Sequence, residues 1–234
     1  MPTVLLVRHG RTTANARGVL AGRTAGVRLD AVGREQALRT ATRLAGVPLA
    51  AVVTSPLERC RQTARVVVEH QRGADGAAPA TLVEHGISEC DYGQWQGRAL
   101  RDLAQVPLWS QVQSQPSAVT FPGGESLAAM QSRSVAAIRG HDAALGEQHG
   151  EGAVWAAVAH GDIIKSVLAD ALGMHLDLFQ RIAVGPGSVS IVRYGPHRPE
   201  VVAVNTDAGD LSWLRGAAPA GDAAVGGGAG PGAS

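Results

Sequence analysis

Thr3-Val4-Leu5-Leu6-Val7-Arg8-His9-Gly10 is the stretch on which the reading of this chain turns. Thr3–Val7 is a continuous apolar run, which predicts a strand buried on both faces, as in a parallel sheet. A buried strand has little structural reason to end in Arg-His-Gly. One such histidine could equally be a satisfied core residue. The pattern repeats, however: Val154–Ala159 is a second buried run, and it ends in His160-Gly161. Two histidines, each followed by glycine and each closing a predicted strand, point to chemistry.

Working outward, Arg34–Leu44 has helical spacing and Ala50–Thr54 reads as another strand. Leu57, Cys60, Ala64, Val67 and Val68 share one face of a helix, and Leu127, Met130, Ile138 and Leu145 mark a further one, introduced by Pro122-Gly123-Gly124. Ile163–Leu172 predicts a helix behind the second buried strand. Val189–Tyr194 and Val201–Asn205 are strands separated by the turn-prone Gly195-Pro196-His197. Such alternation predicts an α/β fold, a three-layer α/β/α sandwich around a mainly parallel central sheet. Its ligand site is expected outside the carboxyl ends of the strands. The section from about residue 92 to 123 fits the alternation poorly and holds Tyr92, Trp95, Trp109 and Phe121. A small cap packing over the carboxyl ends explains those rings, and so does a pocket wall; the two are compatible.

Composition narrows the function. The 234 residues are 45% hydrophobic and 18% charged, with a net charge of +1, so a substantial core is expected and no nucleic-acid or membrane partner. No run reaches the roughly 18 apolar residues of a membrane span, and no basic segment precedes the first strand, so a cytoplasmic protein is expected. Lys165 is the only lysine, which makes Schiff-base chemistry improbable. Cys60 and Cys90 form neither a metal-type pair nor a disulfide framework. Residues 216–234 hold seven Gly, seven Ala and two Pro and predict a flexible tail after a single domain over 1–215, which ends its folded part near Trp213-Leu214.

Arg8, His9, Arg59 and His160 together would make a cationic cage for one phosphoryl group, because the rigid guanidinium fork bonds two phosphate oxygens at once. Gly10 and Gly161 are expected to let the backbone approach the ligand, with N–H groups of the following helix starts as further donors. Neither GxxxxGK[ST] nor HExxH is present, so phosphate handling without metal or cofactor is expected. His70, His85, His141 and His149 lack metal-ligand spacing and are expected at the surface.

The run Leu5-Leu6-Val7-Arg8-His9-Gly10-Arg11-Thr12 with Asn15 resembles the signature of the histidine phosphatase superfamily, the phosphoglycerate mutase-like fold. Ser55-Pro56-Leu57-Glu58-Arg59-Cys60-Arg61-Gln62-Thr63-Ala64 is similar to its second motif, and Ser88-Glu89-Cys90-Asp91-Tyr92-Gly93-Gln94-Trp95-Gln96-Gly97 to its acid-bearing motif. Pro122-Gly123-Gly124-Glu125-Ser126 and His160-Gly161 complete the series in order. The resemblance implies that His9 becomes a phosphohistidine, that Arg8, Arg59 and His160 stabilise the transferring group, and that Asn15 donates to phosphate. It implies that Glu89 protonates the leaving oxygen and then activates water. Glu125, with Ala21 and Gly22, would meet the substrate, and Ser126 either touches ligand or caps the helix that starts there. The arginines of the cage are expected to hold Glu89 ionised until a bound phosphate dianion restores its proton.

The departures concern the substrate. Ala21 stands where relatives place a polar residue, commonly Gln; Gln96 stands where many have Glu; and Gly22-Arg23-Thr24-Ala25-Gly26 lacks a customary Asp. Arg23 and Arg28 are expected to be solvated, with contact to an anionic substrate group as the other reading. A hydrolase of small phosphate monoesters is the leading expectation. A phosphoglycerate mutase-type phosphotransferase and a weakly catalytic phosphate-recognising regulator are the alternatives. A mutase is disfavoured by the Gln-Trp-Gln-Gly continuation and the short middle section. A homodimer through a sheet edge is left open.

Overall fold

The computed structural model describes residues 1–71 and 78–207. Six strands form one sheet among these residues: β1 (Thr3–Arg8), β2 (Ala51–Thr54), β3 (Ala80–Val83), β4 (Val154–Ala159), β5 (Val189–Tyr194) and β6 (Pro199–Thr206), in the order β3-β2-β4-β1-β5-β6. β3, β2, β4 and β1 pair in parallel, while β5 is antiparallel to both β1 and β6. The sheet is mainly parallel, as the alternation predicted.

Period-two alternation then divides the core. Leu5, Val7, Val52, Ala156 and Val158 face Ala41 and Leu44 of α2 (Ala31–Leu44) and Ala64 and Val67 of α3 (Glu58–His70). Val4, Leu6, Val53, Trp155 and Ala157 pack in the other cluster with Met130 and Ile138 of α6 (Leu127–His149) and Ile164 and Leu168 of α7 (Gly161–Ala171). The three short helices α1 (Thr13–Ala16), α4 (Leu100–Leu103) and α5 (Pro107–Ser114) lie in the segments between these elements.

Two elements differ from expectation. α2 begins at Ala31, three residues before its apolar spacing shows, because Asp30 caps it by accepting from the Gly33 N–H at 2.7 Å. β3 was not anticipated: its four residues are all exposed and pair only with β2, so they carry no core periodicity. In the section after residue 91, Trp95 and Phe121 are buried core and Trp95 stacks on Trp109 at 6.1 Å. The expected tail at 216–234 and the expected end near Trp213-Leu214 lie outside the described residues. Among the described residues no helix is long and apolar enough to cross a membrane.

Register delivers the site. Arg8 pairs with Ala159 and Thr54 with Val158, so His9, His160 and Ser55 leave neighbouring strands side by side at the carboxyl edge. The turn after β1 sits directly on the start of α2. A Cβ on Gly10 would overlap the Gly33 carbonyl, and one on Gly33 would overlap the Arg11 carbonyl. Gly10 is therefore required for packing between strand end and helix. Gly10→Ala is expected to destabilise the fold by about 1–3 kcal/mol, the cost of overpacking a dense site. Denaturant unfolding checks this, and an unchanged midpoint would mean that the turn relaxes freely.

Candidate active site

His9 is 3% exposed, and its two ring nitrogens are distinguished by their partners. Nδ1 lies 2.7 Å from the Gly10 carbonyl, which can only accept, so Nδ1 carries the proton. Nε2 receives a hydrogen bond from Arg59 Nε at 3.2 Å, so it holds a lone pair. Burial, then Arg59 and Arg8, push the His9 pKa well below that of an ordinary histidine. The ring is therefore neutral at physiological pH with Nε2 the unprotonated nitrogen, its lone pair held by Arg59.

Arg59, in the first turn of α3, organises the centre. Its Nη2 donates to the Gly22 carbonyl at 2.9 Å and to His160 Nδ1 at 3.1 Å. Since guanidinium nitrogens only donate, His160 Nδ1 accepts and its Nε2–H reaches Ser55 Oγ at 2.7 Å. The His9 and His160 rings meet edge to face, 5.3 Å apart. Arg59 Nη1 is buried and has no hydrogen-bond partner among the described residues. A buried, unanswered cationic donor is costly, and an anion in the adjoining cleft would satisfy it. Arg8 lies deeper, fully buried, and donates to the Val184 carbonyl at 2.6 Å. Burial lowers its pKa to about 10, so it stays charged behind His9.

Glu89 is 3% exposed, with Oε2 3.9 Å from His160 Nδ1 and Oε1 accepting from the Cys90 N–H at 3.0 Å. Its pKa is raised to about 7, first by burial and then by the charge of Asp162, against the pull of Arg59, the Cys90 N–H and Arg8. The expectation that the arginines alone would hold it ionised is corrected: desolvation outweighs them. Glu89 is a carboxyl that can carry a proton near neutrality before any ligand binds.

Asp162 escaped the sequence reading. It is fully buried in the first turn of α7, where Oδ2 accepts from the Tyr92 hydroxyl at 2.8 Å and Oδ1 lies 3.7 Å from Lys165 Nζ. Lys165 also donates to Gln180 Oε1 at 2.9 Å, so the sole lysine is a packed member of this polar cluster. An acidic residue two positions after a strand-end histidine was the available signal.

His9, Asn15, Ala21, Gly22, Arg59 and Glu89 all line one cleft, together with Thr12, Val19, Leu20, Tyr92 and Leu100, whereas Arg8, Gly10 and His160 pack behind it. Asn15 Oδ1 accepts from the Thr12 N–H and hydroxyl, which fixes the side chain at the start of α1. Gly22 has φ +51, and a Cβ there would strike Gln96. Gly161 opens α7 behind His160 and does not line the cleft. Glu125 does not line it either. Its carboxylate holds Arg23 Nη2 at 2.9 Å, Arg133 Nη2 at 2.6 Å and the Asp91 N–H at 2.8 Å. Arg23 and Arg133 in turn donate to the Glu89 carbonyl at 2.8 and 3.2 Å, so Arg23, its side chain 36% exposed, is tied to the Glu89 segment and does not line the cleft. Arg28 is exposed and paired with Glu58 at 2.7 Å. Ser126 is a cap, accepting from the Ala129 N–H. Cys90 is a buried packing residue, and His141 pairs with Glu84 at 2.9 Å.

A neutral histidine whose Nε2 accepts from an arginine, a second buried arginine, a second histidine and a protonatable carboxyl meet at the carboxyl edge of an α/β sheet, an arrangement that suits an anion. The pattern of the histidine phosphatase superfamily (branch 1) matches residues 4–207, and the chain belongs to that family. It is 39% identical over 100 residues to the adenosylcobalamin/alpha-ribazole phosphatase of Escherichia coli, covering 43% of this chain and 46% of that protein. Phosphoserine phosphatase 1 of Hydrogenobacter thermophilus is 25% identical over 210 residues, 88% of this chain and 92% of its own. The crystal structure of the alpha-ribazole phosphatase from Shigella flexneri superposes with a TM-score of 0.74 at 25% identity, covering 90% of this chain and 99% of that one. Phosphoglycerate mutases are also among the matching relatives. The chain spans about half the length of the first curated relatives it matches.

Proposed function

We propose that the protein is a phosphatase that hydrolyses phosphate monoesters through a phosphohistidine on His9. The observation that carries this reading is the neutral His9 Nε2 at the base of a cleft that also contains an unanswered Arg59 donor and a carboxyl poised near pH 7. Nε2 attacks phosphorus as the bond to the leaving oxygen breaks, and Glu89 gives that oxygen its proton. The Gly10 carbonyl on Nδ1–H disperses the positive charge that grows on the ring. Arg59 opposes the negative charge of the transferring group directly and Arg8 from behind the cleft, while the neutral His160, accepting from Arg59 at Nδ1, holds that guanidinium in place. Water then attacks phosphorus, passes a proton to Glu89, and the P–N bond breaks to release inorganic phosphate and neutral His9. Asn15 is assigned to the phosphate side of the cleft, and Ala21 and Gly22 to the substrate side. Gly161, Gly10 and Glu125 act through the framework.

The test is phosphate release from a panel of monoesters in EDTA, with rapid-quench mass spectrometry of the protein. Expected are turnover that survives chelation and a transient single-phosphoryl adduct on His9. An enzyme dependent on added metal, or turnover with no adduct, would overturn the reading.

The Asp162 charge yields a separate expectation. It raises the Glu89 pKa, so Asp162→Asn should move the alkaline fall of kcat/KM to lower pH while keeping an acceptor for Tyr92. An unmoved pH profile would mean that burial alone sets Glu89.

A further inference from the structure

Beyond the phosphate cage, the cleft has one kind of wall. Val19, Ala21 and Leu100 supply part-exposed aliphatic surface, backed by the buried Leu20 and Tyr92. Residues 18–22 and 97–100 are laced together by backbone bonds. Leu20 N–H donates to the Arg98 carbonyl at 3.0 Å, Gly97 N–H to the Leu20 carbonyl at 2.8 Å, and Leu100 N–H to the Gly18 carbonyl at 2.7 Å. Gln96 Oε1 also accepts from the Arg23 N–H, so the wall is a preformed surface that two chain segments share.

The same surface is poor in positive charge. Among the described residues that line the cleft, Arg59 alone is cationic, and it belongs to the phosphate cage. Arg23 and Arg28, which follow Gly22 in the chain, are paired with Glu125 and Glu58, and Arg17, Arg98 and Arg101, which flank the wall in sequence, are exposed and do not line the cleft. Glu89 stands at the junction of cage and wall and, once it has given up its proton, repels a second anion. A carboxylate on the leaving group would lose water against aliphatic carbon with no cation among the lining residues beyond the cage to answer it, a penalty that a neutral alcohol avoids. Apolar atoms of the alcohol would gain contact instead.

We infer that the cleft takes phosphate monoesters of uncharged, partly apolar alcohols and discriminates against leaving groups that carry a carboxylate. This rests on the phosphatase reading and narrows it to a substrate class. It also separates this chain from the carboxylate-bearing compounds named by its phosphoserine and phosphoglycerate relatives.

Three monoesters test it. Glycerol 3-phosphate and 3-phosphoglycerate share a skeleton and differ by a hydroxymethyl group against a carboxylate, and benzyl phosphate offers an apolar alcohol. The expected order of kcat/KM is benzyl phosphate, glycerol 3-phosphate, 3-phosphoglycerate, with at least about tenfold between the last two. Leu100→Arg, which places a cation on the wall, is expected to move that ratio about tenfold toward 3-phosphoglycerate. Turnover in which 3-phosphoglycerate equals or exceeds glycerol 3-phosphate would overturn the inference and leave the phosphatase reading standing. No turnover of any of the three would instead sink the phosphatase reading. Calorimetric binding of the same compounds to the wild-type protein then decides the inference: 3-phosphoglycerate weakest supports it, while 3-phosphoglycerate equal or tightest, or no binding at all, overturns it.

Discussion

His9→Ala is expected to lose roughly 10⁴- to 10⁶-fold in kcat on every monoester, as removal of a covalent nucleophile does elsewhere. The reason is local. Nε2 is the ring atom with a lone pair facing the cleft, and Arg59 donates to it. No other described cleft residue offers a comparable nucleophile: the Thr12 hydroxyl is engaged with Asn15 Oδ1, and both cysteines are buried with Cys60 raised to about 12. The variant should still bind phosphate, because Arg59 keeps its contacts to Gly22 and His160. Steady-state phosphate release with calorimetric phosphate binding checks both halves. Residual turnover within about tenfold of wild type would mean that His9 is not the nucleophile.

The second large effect concerns Glu89. With a pKa raised to about 7, it is protonated in the free enzyme below that pH, and kcat/KM of the wild type is expected to fall as pH rises through about 7. Glu89→Gln should abolish that fall and slow alkyl monoesters by about 10²- to 10⁴-fold. p-Nitrophenyl phosphate should suffer far less, since nitrophenolate leaves without a proton. Equal losses on both substrates would assign Glu89 a role in shape instead of proton transfer. Stability gives an independent readout. The folded pKa lies above the ordinary 4.5, so the folded chain holds a proton that the unfolded chain has released, and stability declines as pH rises from 4.5 through about 7. The Gln variant is therefore expected to melt above the wild type at pH 8, with the gap closing toward pH 4.5.

Much of the site was legible because it sits at the ends of buried strands. Nothing in a packed sheet calls for His9 or His160, so their presence after Val7-Arg8 and Ala159 was informative by itself. Arg59 was legible through its place at the start of a helix after β2. What escaped depends on contacts between distant segments. Asp162 matters because the Tyr92 hydroxyl, 70 residues away in sequence, reaches it, and spacing does not encode that meeting. Glu125 reads as a substrate contact through the resemblance to the family's motif, yet Arg23 and Arg133 claim its carboxylate. Gly10 illustrates a third limit. A glycine beside a catalytic residue suggests close approach to ligand, whereas here the close neighbour is the backbone of Gly33. β3 was missed because an exposed four-residue edge strand has no apolar face to betray it.

The acid and the wall that faces it are supported by largely separate contacts, which meet at Arg23. Glu89 is held by its own carbonyl, which Arg23 and Arg133 grip, with Glu125 binding both arginines. Val19 and Leu100 take no part in that grip and belong to backbone ladders of their own. Point mutations in the wall can therefore accumulate without displacing the proton donor. On the proposed reading, the chain keeps its reaction in one set of side chains and its diet largely in another, so a lineage built on this scaffold could change what it feeds on by single steps at Val19 or Leu100.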